Sequence, residues 1–167
     1  LGRQRYAWLG EARVRSVAEF RLLAELHREG LPVPAPLVAG YWRMGWGYRA
    51  AILVERIAGA RALSQWLQGS ADGAPWEAVG DMLARFHLAG LDHADLNADN
   101  VLVDDRGQPW LIDFDRCVRR RAAGGWRERN LRRLERSLAK RDPDGRWRPG
   151  FARLQRAYAA GLAAVSA

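Results

Sequence analysis

From Ser16 to Glu29 the apolar residues Val17, Phe20, Leu22, Leu23 and Leu26 recur at helical spacing. The pattern predicts an amphipathic helix, with Ser16 as its N-cap and Gly30 as its stop. Prolines at 32, 34 and 36 then forbid helix and predict an extended linker. Leu37 to Arg43 and Tyr48 to Ile57 are rich in β-branched and aromatic residues and flank Met44-Gly45-Trp46-Gly47, which predicts a β-hairpin. The bare G-x-G at Gly45 and Gly47 has no third glycine and opens no helix, so it reads as the turn and not as a phosphate loop. Further on, Leu63 to Leu67 predicts a short helix, and Trp76 to Ala89 a longer one with Val79, Met82, Leu83 and Phe86 inward. Val101 to Val103 and Trp110 to Phe114 predict a small second hairpin, with Asp104 and Asp105 as turn residues. Trp126 to Lys140 and Pro149 to Val165 read as amphipathic helices, broken at Asp142-Pro143-Asp144-Gly145. No internal repeat is present. This order sets a ligand cleft where the strand-rich front meets the helical back.

The composition narrows the class. With 167 residues the chain can bury one core, or two small lobes around a cleft. Hydrophobic residues at 49% and charged residues at 28% exclude an intrinsically disordered or collagen-like chain. No run approaches the ~18 apolar residues that span a bilayer, and the N-terminus lacks the layout of a signal peptide. A soluble or peripheral protein is expected. Cys117 is the one cysteine, which rules out a disulfide framework and a cysteine zinc cluster and suits a reducing compartment. Cys117 itself reads as a small buried filler. The chain starts at Leu1, and the expectation is a start inside a longer natural protein.

Charge is unevenly spread. Between Arg116 and Arg141, ten arginines and Lys140 face only Glu128 and Glu135, a net +9, while the whole chain carries +8. The segment reads as a patch for anionic ligands or as a solvated helix in an arginine-rich chain. An anionic membrane or a phosphorylated substrate would suit it. Nucleic acid is disfavoured, because no zinc-finger spacing, RNA-binding aromatic signature or basic zipper accompanies the patch. Arg3, Arg5, Tyr6 and Trp8 at the front read as a surface helix, with an interfacial contact as the alternative.

The residues that carry chemistry lie in His93-Ala94-Asp95-Leu96-Asn97-Ala98-Asp99-Asn100 and in Ile112-Asp113-Phe114-Asp115. The intervening hairpin folds Asp113 back beside Asp95 and Asn100, so three oxygen-bearing side chains can face one small volume. Phosphoryl transfer from a nucleotide needs oxygen ligands for Mg²⁺ and a carboxylate that orients the attacking hydroxyl and accepts its proton. Asn100 and Asp113 suit the first task, and Asp95 suits the second. Asp99 and Asp115 read equally as supports or as surface acids. His87 reads as a core histidine, and His93 as packing beneath the loop without transferring protons.

The pattern H-x-D-L-x-x-x-N, a hairpin, then D-F resembles the catalytic loop and metal-binding motif of the protein-kinase-like fold. Ala94 and Asn97 depart from the arginine and lysine of many protein kinases, and little room for peptide docking separates Asp113 from the helix near Trp126. Small-molecule kinases tolerate such changes. Beyond the loop, the wording resembles the 3-deoxy-D-manno-octulosonic acid (Kdo) kinases of the lipopolysaccharide kinase group. The carrying residues are His93 to Asn97, Trp110 to Cys117, Trp126 to Leu138, Glu19-Phe-Arg-Leu-Leu23 and Gly30 to Pro36.

The resemblance implies an α+β, protein-kinase-like fold. Residues 1–56 would form a partial N-lobe of helix plus hairpin, and 57–167 a mainly helical C-lobe with the catalytic loop and metal-binding motif. It implies a bacterial enzyme using ATP and Mg²⁺ to phosphorylate a Kdo hydroxyl on a lipid A precursor, an anionic glycolipid, at the cytoplasmic face of the inner membrane. By position, Glu19 resembles the helix glutamate that pairs with a phosphate-anchoring lysine, and Glu55 would lie in the hinge that meets adenine through backbone groups. No glycine-rich loop precedes Glu19 and no lysine precedes Lys140, so the strands that cover ATP are expected upstream of this chain. A heptose or aminoglycoside kinase and a non-catalytic, nucleic-acid-binding pseudokinase are the competing readings.

Overall fold

The computed structural model describes residues 6–11, 14–69, 73–121 and 124–164. Along the chain these form β1 (Tyr6–Ala7), α1 (Arg15–Arg28), β2 (Pro36–Met44), β3 (Gly47–Val54), β4 (Arg61–Ala62), α2 (Leu63–Trp66) and α3 (Trp76–Leu88). There follow β5 (Leu91–Asp92), β6 (Val101–Val103), β7 (Pro109–Leu111), β8 (Val118–Arg119), α4 (Trp126–Arg141) and α5 (Arg148–Ala163). Each helix and both hairpins expected from periodicity are present, with ends displaced by a few residues. The last residue expected in the C-terminal helix, Val165, lies outside the described residues, as do Arg3 and Arg5.

At the front, an antiparallel sheet of order β1-β3-β2 packs α1 against one face. Its register sets Val38 opposite Leu53 and Trp42 opposite Arg49, so these four side chains share the other face. The surface helix expected around Tyr6 does not form. Tyr6 pairs with Tyr48, their rings 5.3 Å apart, because a third strand satisfies the outer edge of β3. Ser16 is likewise not a cap. Val14 is the N-cap, and the buried Ser16 hydroxyl donates to the Gly40 carbonyl at 3.0 Å, tying α1 to β2. The stop at Gly30 holds, with φ of 72°, a left-handed conformation that suits glycine after a helix.

Behind the sheet, α3 and α5 pack closely; a Cβ on Gly80 would collide with the Leu154 carbonyl, so only glycine permits the approach. Trp76, Phe86, Phe114, Leu134 and Leu154 anchor the core. Helix α4 buries a stripe of Trp126, Asn130, Leu134 and Leu138 at four-residue spacing. The β6–β7 hairpin, edged by β4, presents the chain before and after it to the cleft. Strand β7 ends at Leu111, earlier than the expected Phe114. The Ile112 amide still donates to the Asn100 carbonyl at 3.0 Å, and Asp113 then turns away at φ 63°.

Candidate active site

The loop between β5 and β6 is shaped by its own polar side chains. Asn97 Oδ1 accepts from the amides of Asp99 (2.8 Å) and Asn100 (3.1 Å), and its Nδ2 donates to the Asp95 carboxylate at 3.0 Å. Asn100, nearly buried, donates Nδ2 to the Asp95 carbonyl at 2.9 Å, while its own carbonyl receives the Ile112 amide. Asp95, Asn100 and the residue before Asp113 are thus joined by consecutive hydrogen bonds. These bonds join the two segments through the backbone of Asp95 and Ile112; of the three predicted residues, Asp113 lines the cavity beside Glu19, and Asp95 and Asn100 do not.

Beneath the loop lies His93, 1% exposed. Its Nε2 sits 3.1 Å from the Ile112 carbonyl and therefore carries the proton, and its ring meets Phe114 edge-on at 5.5 Å. Burial holds its pKa below the ordinary histidine value, so it is neutral and packs as expected. Asp113 occupies left-handed backbone space, which non-glycine residues rarely adopt and which the flanking contacts of Ile112 and Phe114 sustain. The strain turns its carboxylate out of the strand into an exposed position.

Asp113 and Glu19 line one cavity of about 430 Å³, together with Leu23, Ile52, Val54, Ile57 and Leu102. Burial, and then the nearby Asp113 charge, raise the Glu19 pKa; the Phe114 amide, hydrogen-bonded to the carboxylate, and Arg15 oppose the shift. Two carboxylates of like charge at one end of an apolar slot make a cation-seeking site. Asn100 spends Nδ2 on Asp95, which leaves Oδ1, without a hydrogen-bond partner among the described residues, as a neutral oxygen donor. Carboxylate and amide oxygens are the donors a hard divalent cation takes, so the set fits Mg²⁺. The apolar remainder of the cavity fits a flat base.

Glu55 lies at the rim of this cavity, just past the end of β3. Its amide donates to the Ala35 carbonyl at 2.8 Å, so that N–H is already committed to closing the hairpin base. Asp115 is a support: Arg15 of α1 donates Nε to it at 2.8 Å, and Nη2 also pairs with it. Asp99 joins the Ser64 hydroxyl to Arg141, fastening the loop to α2 and to the end of α4. Asp104 accepts from the amides of Arg106 and Gln108, as a turn residue does. His87 is a core histidine, Nδ1 2.7 Å from the Tyr158 hydroxyl, and burial pushes its pKa down to about 4. The half-buried Cys117 thiol is pushed up to about 12 by burial, consistent with an inert filler.

Sequence reasoning missed Asn130, Asp92 and Arg15. Asn130, 1% exposed, accepts the His93 amide on Oδ1 at 2.9 Å and donates Nδ2 to Asp92 at 2.9 Å. Arg120 completes Asp92 through Nε and Nη2. One signal was available: an asparagine in the apolar stripe of a helix is costly unless both ends of its amide are satisfied.

Residues 1–158 match the family model described as lipopolysaccharide kinase (Kdo/WaaP) family. The chain is 55% identical over 165 residues to the 3-deoxy-D-manno-octulosonic acid kinase of Xanthomonas axonopodis pv. citri (strain 306), covering 95% of this chain and 65% of that protein. It is 59% identical over 140 residues to the protein of the same name from Xanthomonas oryzae pv. oryzae (strain PXO99A), covering 84% of this chain and 56% of that one. The counterpart from Xylella fastidiosa (strain M12) is 55% identical over 162 residues, with 95% and 65% covered. The chain thus spans between 56% and 65% of the length of these relatives. Among solved structures it is similar, at 16% identity and a TM-score of 0.48, to a chain of the yeast RNA Pol II CTD kinase CTDK-1 complex, covering 71% of this chain and 39% of that one. Matched by the family model from its first residue to Tyr158, the chain belongs to the lipopolysaccharide kinase (Kdo/WaaP) family, and its α+β fold is kinase-like.

Proposed function

We propose that the protein of which this chain is part transfers a phosphoryl group from ATP to a hydroxyl of Kdo on a lipid A precursor. One observation supports the reading: the Asn100 side-chain amide donates to the Asp95 backbone carbonyl while the Asn100 backbone carbonyl receives the Ile112 amide, which ties the loop of the candidate base to the residue beside Asp113, itself in the wall of the cavity. The names of the relatives support the choice of acceptor. On this reading one kinase-like domain divides into residues 1–56 and 57–167, with the nucleotide in the cleft between them.

Each residue has a part. Asp113 and Asn100 would hold Mg²⁺, which when bound neutralises charge on the phosphate oxygens. Asp95, exposed and oriented by Asn97, hydrogen-bonds the acceptor hydroxyl and takes its proton as the oxygen attacks. Glu19 accepts from the Phe114 amide and so steadies the turn that aims Asp113; burial, ahead of the Asp113 charge, raises its pKa. The Glu55 segment borders the slot for the base. Arg129, Arg132, Arg136 and Lys140 recur along the exposed side of α4 and have no ion-pair partner among the described residues. That face suits the phosphates of an anionic glycolipid or the membrane that holds it, with the protein peripheral at the cytoplasmic leaflet. No helix among the described residues is long and apolar enough to cross a membrane.

The test is transfer of labelled phosphate from ATP to a Kdo-bearing lipid A precursor by the full-length protein. Asp95→Ala should lower turnover about a thousandfold while the protein stays folded. Turnover near that of the wild type would overturn the assignment.

A further inference from the structure

The outer face of the β2–β3 hairpin is apolar, and no other described residue covers it. Val38, Trp42 and Leu53 share that face by register and are 55%, 59% and 56% exposed. Met44 continues it to the turn, and there Trp46, between Gly45 and Gly47, is 97% exposed. Other tryptophans of the chain behave differently: Trp76, Trp126 and Trp147 are all buried. The turn is anchored, because the Trp8 amide donates to the Trp46 carbonyl at 3.0 Å, so the indole stands out from a tethered backbone. Leu9, next along from Trp8, is exposed as well. One step back from the tip come cations. Arg49 lies opposite Trp42 on the outer face, and Arg43 lies over the Trp8 ring at 4.7 Å.

From the tip inward, then, an indole and thioether come first and guanidinium groups second. A bilayer has the matching profile, with the glycerol and upper acyl region inside and anionic phosphates outside it. Tryptophan prefers that interfacial zone, and arginine alongside it pairs with lipid phosphate. We propose that the tip of the β2–β3 hairpin and its outer face insert into the interface of an anionic phospholipid bilayer. The basic face of α4 attracts such a surface through charge alone; the hairpin adds apolar insertion. The purpose of the contact rests on the reading of the acceptor as a membrane glycolipid, but the contact itself is tested without turnover.

The experiment is cosedimentation of the full-length protein with phosphatidylglycerol-containing phosphatidylcholine vesicles, in the wild type and in Trp46→Ala and Trp42→Ala/Trp46→Ala. Both side chains point to solvent, so the variants should fold. The single variant should bind about tenfold more weakly and the double variant more weakly still. Quenching of tryptophan emission by bromine-labelled acyl chains should drop in Trp46→Phe. Wild-type protein that ignores the vesicles, or variants that bind them as the wild type does, would overturn the proposal. Vesicle binding that depends on Trp46 in a protein without transferase activity would support this surface and count against the kinase reading, which keeps the two failures apart.

Discussion

On the helical side of the cleft, the loop carrying Asp95 and Asn100 is fastened by groups that solvent does not reach: His93 beneath it, Asn130 from α4, and Phe114 behind. On the sheet side, α1 reaches the same turn through two polar contacts at the cleft, the Arg15–Asp115 pair and the hydrogen bond from the Phe114 amide to Glu19. Buried polar contacts are expensive to break, because each leaves an orphan in a low-dielectric interior; half-exposed ion pairs are cheap, because water takes over. The comparison teaches that the loop carrying the candidate groups is held from beneath by the core of the helical part, whereas the sheet is attached to it by contacts that can be exchanged.

Three measurements sharpen that contrast. Asn130→Ala orphans the His93 amide and one oxygen of Asp92, and should cost about 4 kcal/mol in denaturant unfolding together with most of the transferase activity. Acidification comes next. The folded-state pKa of His87 lies near 4 against the ordinary 6.5, so its contribution to stability is complete above pH 6.5 and is lost as the pH falls toward 4. The loss should approach about 3 kcal/mol, with His93, lowered by the same cause, acting in the same direction. Stability measured from pH 7 to pH 4 checks it, and in His87→Gln the slope should flatten. Smallest is Arg15→Ala. With side chains 25% and 36% exposed, the Arg15–Asp115 pair should contribute less than about 1 kcal/mol to folding. Its loss should appear instead as a raised KM for ATP, and an equal loss of stability in the Arg15 and Asn130 variants would break the contrast.

How far the sequence foretold this follows from the range of the forces. Helix α1 and the β2–β3 hairpin were legible because periodicity, prolines and glycines are local signals, and so was the loop from His93 to Asn100, where motif spacing carries the geometry. Strands β1, β4, β5 and β8 have two residues each and exist only because a distant partner satisfies them, so no local pattern announces them. Ser16 looked like a cap because caps are local, yet a sheet carbonyl from Gly40 claimed its hydroxyl. Asn130 escaped notice because its two partners are 37 and 38 residues away in sequence. Tyr6, expected in a surface helix, was claimed by the open edge of β3 for the same reason.

The position of a bound metal ion decides most directly whether Asn100 and Asp113 form the phosphoryl-transfer site. Crystals of the full-length protein grown with Mn²⁺ and a non-hydrolysable ATP analogue should show an anomalous peak within coordination distance of Asn100 Oδ1 and the Asp113 carboxylate, with the adenine between Leu23, Val54 and Leu102. A nucleotide bound elsewhere, or a metal held by other residues while Asp113 faces solvent, would contradict it.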